Sequence, residues 1–160
     1  MEEVLRYKTV WTITRYLDDV AFVCGIPYSV AQIEGNVLLN EGITALLNLL
    51  CGETETDFSE SNAYIGVGDS STAESASQTG LQAVTNKLYK AVESGYPSIS
   101  DQTVTWRAIF GSSEANFDWN EFTVANGNSD SADNLNRKTS TQGTKASGQT
   151  WTLDLGITFS

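Results

Sequence analysis

Three carboxylates lie close together in the chain, Glu114, Asp118 and Glu121. Two carboxyl groups facing each other across a cleft are the equipment of a glycosidase, one donating a proton and the other attacking or activating water. Spacing along the chain does not set their separation, and the plainer expectation is solvated charges on a loop and a strand edge. Histidine is absent. That removes the most common general base, the most common metal ligand and the Ser–His and Cys–His nucleophile pairs. An enzyme built on this chain would have to work with carboxylates, Lys, Tyr or Cys alone. No catalytic residue is assigned, and the expected function is non-enzymatic.

Other stretches carry weaker chemical signals. Gly66-x-Gly68 is followed by Asp69 and Ser70. It lacks the third glycine of a dinucleotide fingerprint and the Gly-Lys-Ser/Thr of a phosphate-cradling loop, and reads as a bend at a strand end. Asn126, Asn128, Asp130 and Asp133 offer oxygen ligands in one polar loop, as a calcium site would. Ser131 stands where the loop needs glycine and Arg137 where it needs the bidentate glutamate, so a polar turn is the reading taken. Trp11, Trp106, Trp119 and Trp151 could form a sugar-stacking platform, but three of them fall on faces expected to be core. Cys24 and Cys51 make no disulfide framework and are expected to be buried free thiols. No cofactor or metal is assigned.

The elements that would position these residues read mainly as β. Tyr7, Thr9, Trp11 and Ile13 alternate on one face of a first strand, Leu5 to Tyr16. Asp18-Asp19 suggests a turn before a possible second strand at Ala21 to Gly25. Leu38, Leu39, Ile43, Leu46, Leu47 and Leu50 recur at helical spacing, and Gly52 supplies a stop. These predict one amphipathic helix, about Asn40 to Cys51, lying on a sheet because its apolar stripe needs a partner. The stretch that begins SVAQIE at Ser29 is expected to be strand or extended, and further strands are expected at 63–68, 87–93, 103–110, 119–125 and 135–141. The chain closes on TWTLDLGITFS, where Trp151, Leu153, Leu155, Ile157 and Phe159 take every second position of a strand that should pair inside a sheet. About seven or eight strands and one helix over residues 1–160, with no repeat and no linker, predict a single antiparallel β-sandwich domain.

Charge narrows the partners. Nine basic residues against twenty acidic ones leave a net charge of −11, and no basic run is present. A nucleic-acid binder needs Lys and Arg to displace counterions, so neither nucleic acid nor an anionic membrane is an expected partner. Met1-Glu2-Glu3 opens with acid, which argues against a secretory signal, and no apolar stretch approaches the length that spans a bilayer.

Several stretches together, EGNVLLNEGITALLNLLCG, AYIGVGDSSTAESASQTGLQA, WNEFTVANG, LNRK and SGQTWTLDLGITFS, resemble a family of small tailed-bacteriophage virion proteins over residues 34–160. The closing third also resembles β-rich modules of phage tail fibres, although Glu121-Phe122 is followed by Thr123 where those modules have glycine. The resemblance implies a structural subunit in the virion, assembled in the host cytoplasm, most simply an outer-capsid decoration (cement) subunit. The alternatives are a tail- or neck-associated fibre or knob subunit and, from the tryptophans and the polar loop, a carbohydrate-binding β-sandwich. Its implied partners are itself, as a homo-oligomer with three-fold symmetry as one form, and other virion proteins such as the major capsid protein. No catalytic residues come with it.

Overall fold

A computed structural model describes residues 3–160. Among the described residues, ten strands form two antiparallel five-stranded sheets, with two helices. The first sheet contains β1 (Tyr7–Tyr16), β2 (Ser29–Glu34), β6 (Ser98–Ser100), β7 (Thr103–Phe110) and β10 (Thr150–Phe159), in the order β2-β1-β10-β7-β6. The second contains β3 (Val37–Leu38), β4 (Tyr64–Gly68), β5 (Lys87–Ala91), β8 (Glu121–Ala125) and β9 (Asn136–Thr139), in the order β3-β9-β8-β4-β5. The expected β-sandwich is present. The count is higher than expected because β3 and β6 span only two and three residues, too few for a period of two to show in a sequence.

The closing strand answers to its pattern. β10 lies at the centre of its sheet, paired with β1 from Tyr7↔Phe159 to Tyr16↔Thr150 and with β7 from Trp151↔Phe110 to Thr158↔Thr103. Trp151, Leu153, Leu155 and Ile157 are buried. They share one apolar core with Ile65, Val67, Phe122 and Val124 of the other sheet. Burial of each such side chain contributes roughly 1.5–3 kcal/mol, so alternation on a central strand is a strong constraint on register. Only Phe159, at the end, stays partly exposed.

Two expectations are corrected here. The possible second strand at Ala21 is instead a short helix, α1 (Asp19–Val23), because the Asp18 carboxylate accepts from the Ala21 amide at 2.7 Å and caps a turn. Cys24 and Cys51 are free but exposed, not buried. Each ends a helix on its solvent side, Cys24 after α1 and Cys51 as the last residue of α2 (Asn40–Cys51). The bounds of α2 match the sequence reading, and Gly52 closes it in the left-handed region at φ 73°. No helix among the described residues is long and apolar enough to cross a membrane.

Candidate functional site

The carboxylates that could do chemistry are already engaged by other parts of the chain. Alternation along β8 sends Phe122 and Val124 into the core and Glu121 and Thr123 to the opposite face. That face is not left to water. The long connection from Asp69 to Asn86 covers it, so Glu121 and Arg137 are both fully buried. Arg137 Nε donates to Glu121 Oε2 at 2.8 Å, and Nη2 lies 2.7 Å from the same oxygen. The amides of Gln82 and Ala83 donate to Glu121, the shortest at 2.7 Å, while Arg137 Nη1 donates to the Thr72 carbonyl and to Gln78 Oε1. This pair pins both ends of the covering loop onto the sheet. A buried pair persists only where such additional bonds satisfy its remaining atoms.

Gly66 and Gly68 belong to the same construction. Both lie within regular β4 rather than in the bend expected at its end. A Cβ on Gly66 would meet the Tyr89 ring and Thr123 Cγ2 at 2.8 Å, and one on Gly68 would meet Glu121 Oε1 at 2.5 Å. These glycines make room for side chains lying across the strand, a close approach that spacing alone does not reveal.

The three carboxylates do not converge on common partners. Glu114 pairs with Lys90 at 2.6 Å and accepts from the Gly111 amide at 2.9 Å. Burial works to raise its pKa, but Lys90 and the amide outweigh this and hold it below the usual value. Asp118 accepts from the Thr144 hydroxyl, and Glu121 is the buried partner of Arg137. The polar loop is likewise engaged by protein donors. Asn126 donates to the Thr56 carbonyl at 2.8 Å and accepts from the Asp133 amide at 2.9 Å. Asp130 pairs with Lys87, accepts from the Leu81 amide at 3.1 Å, and has the Tyr89 hydroxyl at 2.6 Å. Burial, and then Asp130, hold the Tyr89 phenol far above its ordinary pKa. Asn128 borders an open hollow with Lys87 and Tyr89. Among the described residues no group of three or more His, Cys, Asp or Glu is placed to hold a metal ion. All four tryptophans are buried, and Trp11, Trp119 and Trp151 form aromatic contacts with Phe110, Phe122 and one another.

A further buried titratable group carries no signal in the sequence. Lys145 is fully buried, and its ammonium donates to the Gly111 carbonyl at 2.7 Å and Asn116 Oδ1 at 2.8 Å. Burial lowers its pKa to about 8.

The feature left uncommitted is α2. Its predicted apolar stripe is expected to lie on a sheet; Leu38 and Leu39, at and before its start, do pack inward, but the stripe within the helix is turned the other way. Gly42 and Ala45 are its buried residues. A Cβ on Gly42 would come within 2.4 Å of the Leu135 carbonyl oxygen, so the helix backbone sits directly against the start of β9. The Glu41 carboxylate accepts from the Asn134 amide at 2.9 Å, and Asn48 donates to Glu55 at 2.9 Å. The small and polar side of α2 therefore faces the protein. Ile43, Leu46, Leu47 and Leu50 face out, Leu47 at 55% and Leu50 at 82% exposure. Beside the stripe runs a narrow apolar cleft lined by Tyr7, Leu38, Leu46, Trp106, Leu135 and Phe159.

A second apolar tract lies around α1, where Leu17, Val20, Val23, Ile26 and Val30 are exposed. The Tyr16 and Phe22 rings meet at 5.2 Å, which places α1 at the end of β1, whereas Tyr7 places the cleft at its start. The 10 residues of β1 separate the two tracts by about 30 Å.

The chain matches no family model, no curated protein and no solved structure.

Proposed function

We propose that this chain is a non-enzymatic structural subunit of a tailed-phage virion, set on the outer capsid as a decoration (cement) subunit beside the major capsid protein. The geometric observation that carries the assembly part of this reading is the outward leucine face of α2. A lone chain in water gains by burying such a stripe, and an uncovered one marks a contact surface. The virion setting rests on the resemblance of residues 34–160 to small tailed-phage proteins, and the net charge of −11 suits a component that must not adhere to packaged DNA.

Gold-labelled antibody against the chain, applied to purified virions, tests the placement. Label over the capsid faces supports the decoration reading, and virions that carry none overturn it. Label confined to the tail or neck selects the fibre or knob alternative. That alternative draws on the second tract at α1, because apolar surfaces at opposite ends of one subunit permit end-to-end stacking. The carbohydrate-binding alternative has lost its tryptophan platform to the core, and a blank glycan array would retire it.

A further inference from the structure

We infer that the outward face of α2 is the contact between two copies of this chain, related by a two-fold axis. The inference rests on the assembly reading above and names the partner and the surface. Ile43, Leu46, Leu47 and Leu50 stand at i, i+3, i+4 and i+7, the spacing of a single helical ridge. Tyr7 and Phe159 border the cleft next to that ridge, and Ile99 continues the apolar surface past Phe159. An exposed apolar ridge beside a cleft of about 100 Å³ can meet the same surface of a second copy about a two-fold axis, helix against helix with the clefts at the margin, and each contact is repeated by symmetry.

Area supports a protein partner of this size. The exposed parts of these side chains amount to roughly 600–700 Å², whereas a standard interface buries ~800 Å² per partner, of which ~56–65% is apolar. The apolar requirement of one side is thus met by this face alone. Charge selects the face through which a like partner can approach. In a chain of net charge −11, any two copies repel over most of their surfaces. Glu41 is the one charged residue of α2, and its carboxylate is turned inward to the Asn134 amide. Contact through the helix itself brings together uncharged surface from each copy, with Asp101 at the rim beside Ile99 and Phe159. The two-fold arrangement sets Ile43 of one copy near Leu50 of the other, with the helices antiparallel.

Light scattering across a range of concentrations tests this on the whole chain. The expected result is a particle of twice 17.3 kDa. Leu47→Asp and, separately, Leu50→Asp should weaken the dissociation constant at least roughly tenfold, while Val23→Asp, at the far end, leaves it unchanged. Circular dichroism and thermal melting of each variant establish that the fold is retained, as expected for exposed positions. A particle of 17.3 kDa at every concentration overturns the inference. So does a dimer that survives both leucine variants, and so does open-ended growth in mass that Val23→Asp abolishes, which would join α1 of one copy to α2 of the next. A monomer that still labels virions removes this contact alone. A dimer sensitive to Leu47→Asp that never labels virions removes the virion setting alone.

Discussion

The outer face of β8 and β9 and the outer face of α2 invert the usual rule of burial. On the first, Glu121 and Arg137 are charged and fully enclosed. On the second, Leu47 and Leu50 are apolar and open to water. The difference lies in what covers each face. The connection from Asp69 to Asn86 folds over the sheet and supplies amides to Glu121 and oxygen acceptors to Arg137, so the charges are enclosed and bonded by the same loop. Nothing in the described chain folds over the outer side of α2, whose inner side is made of Gly42, Ala45, Glu41, Asn48 and Leu49. Charge burial here serves to attach a loop without regular secondary structure, and apolar exposure leaves a surface available for another molecule.

The largest test of that contrast is Arg137→Ala. It leaves Glu121 charged and unpaired under the loop, and should cost about 3–5 kcal/mol in urea unfolding. Glu121→Leu with Arg137→Met should recover much of that loss, since an apolar pair removes the uncompensated charge. If Arg137→Ala proves nearly neutral, the ion pair is not what holds the loop.

Gly42→Ala tests the opposite region. Its Cβ would press on the Leu135 carbonyl, a backbone atom that cannot swing aside. The expected cost is about 1–3 kcal/mol, with α2 pushed away from β9. An unchanged melting temperature would mean that the helix is not seated on its small side.

Lys145 sharpens the comparison from within the interior, as a buried charge held by neutral acceptors. Its pKa falls from 10.5 to about 8 on folding. The unfolded chain then binds more protons between those values, so the contribution of Lys145 to stability improves as pH rises from about 8 to 10.5. The stability of the wild type minus that of Lys145→Met should rise across this window, and a flat difference would show that burial of the ammonium carries no cost.

The smallest expected effect is that of Leu50→Gln on the isolated subunit, within about 0.5 kcal/mol, because the side chain is already in water. A larger loss at low concentration would mean that Leu50 packs within its own chain.

The sequence by itself determined the β-sandwich class, the bounds of α2 and the place of β10 inside a sheet. In each case a local physical rule governs the outcome. Alternating apolar residues from Trp151 to Ile157 admit one register with a buried face, and Gly52 ends a helix wherever that helix sits. The site was far less legible. Glu121, Asp130 and Lys145 look like solvent-facing residues because alternation tells which face a residue occupies, not whether a loop distant in sequence covers that face. Gly66 and Gly68 look like bends because the side chains that need their space come from other strands. The stripe on α2 was visible as a stripe, but its direction was not. Only the tertiary structure decided that the helix would rest on Gly42 and Ala45 with Leu49 against the core, because a residue without a Cβ lets the backbone lie directly on Leu135, a neighbour that helical spacing does not reveal.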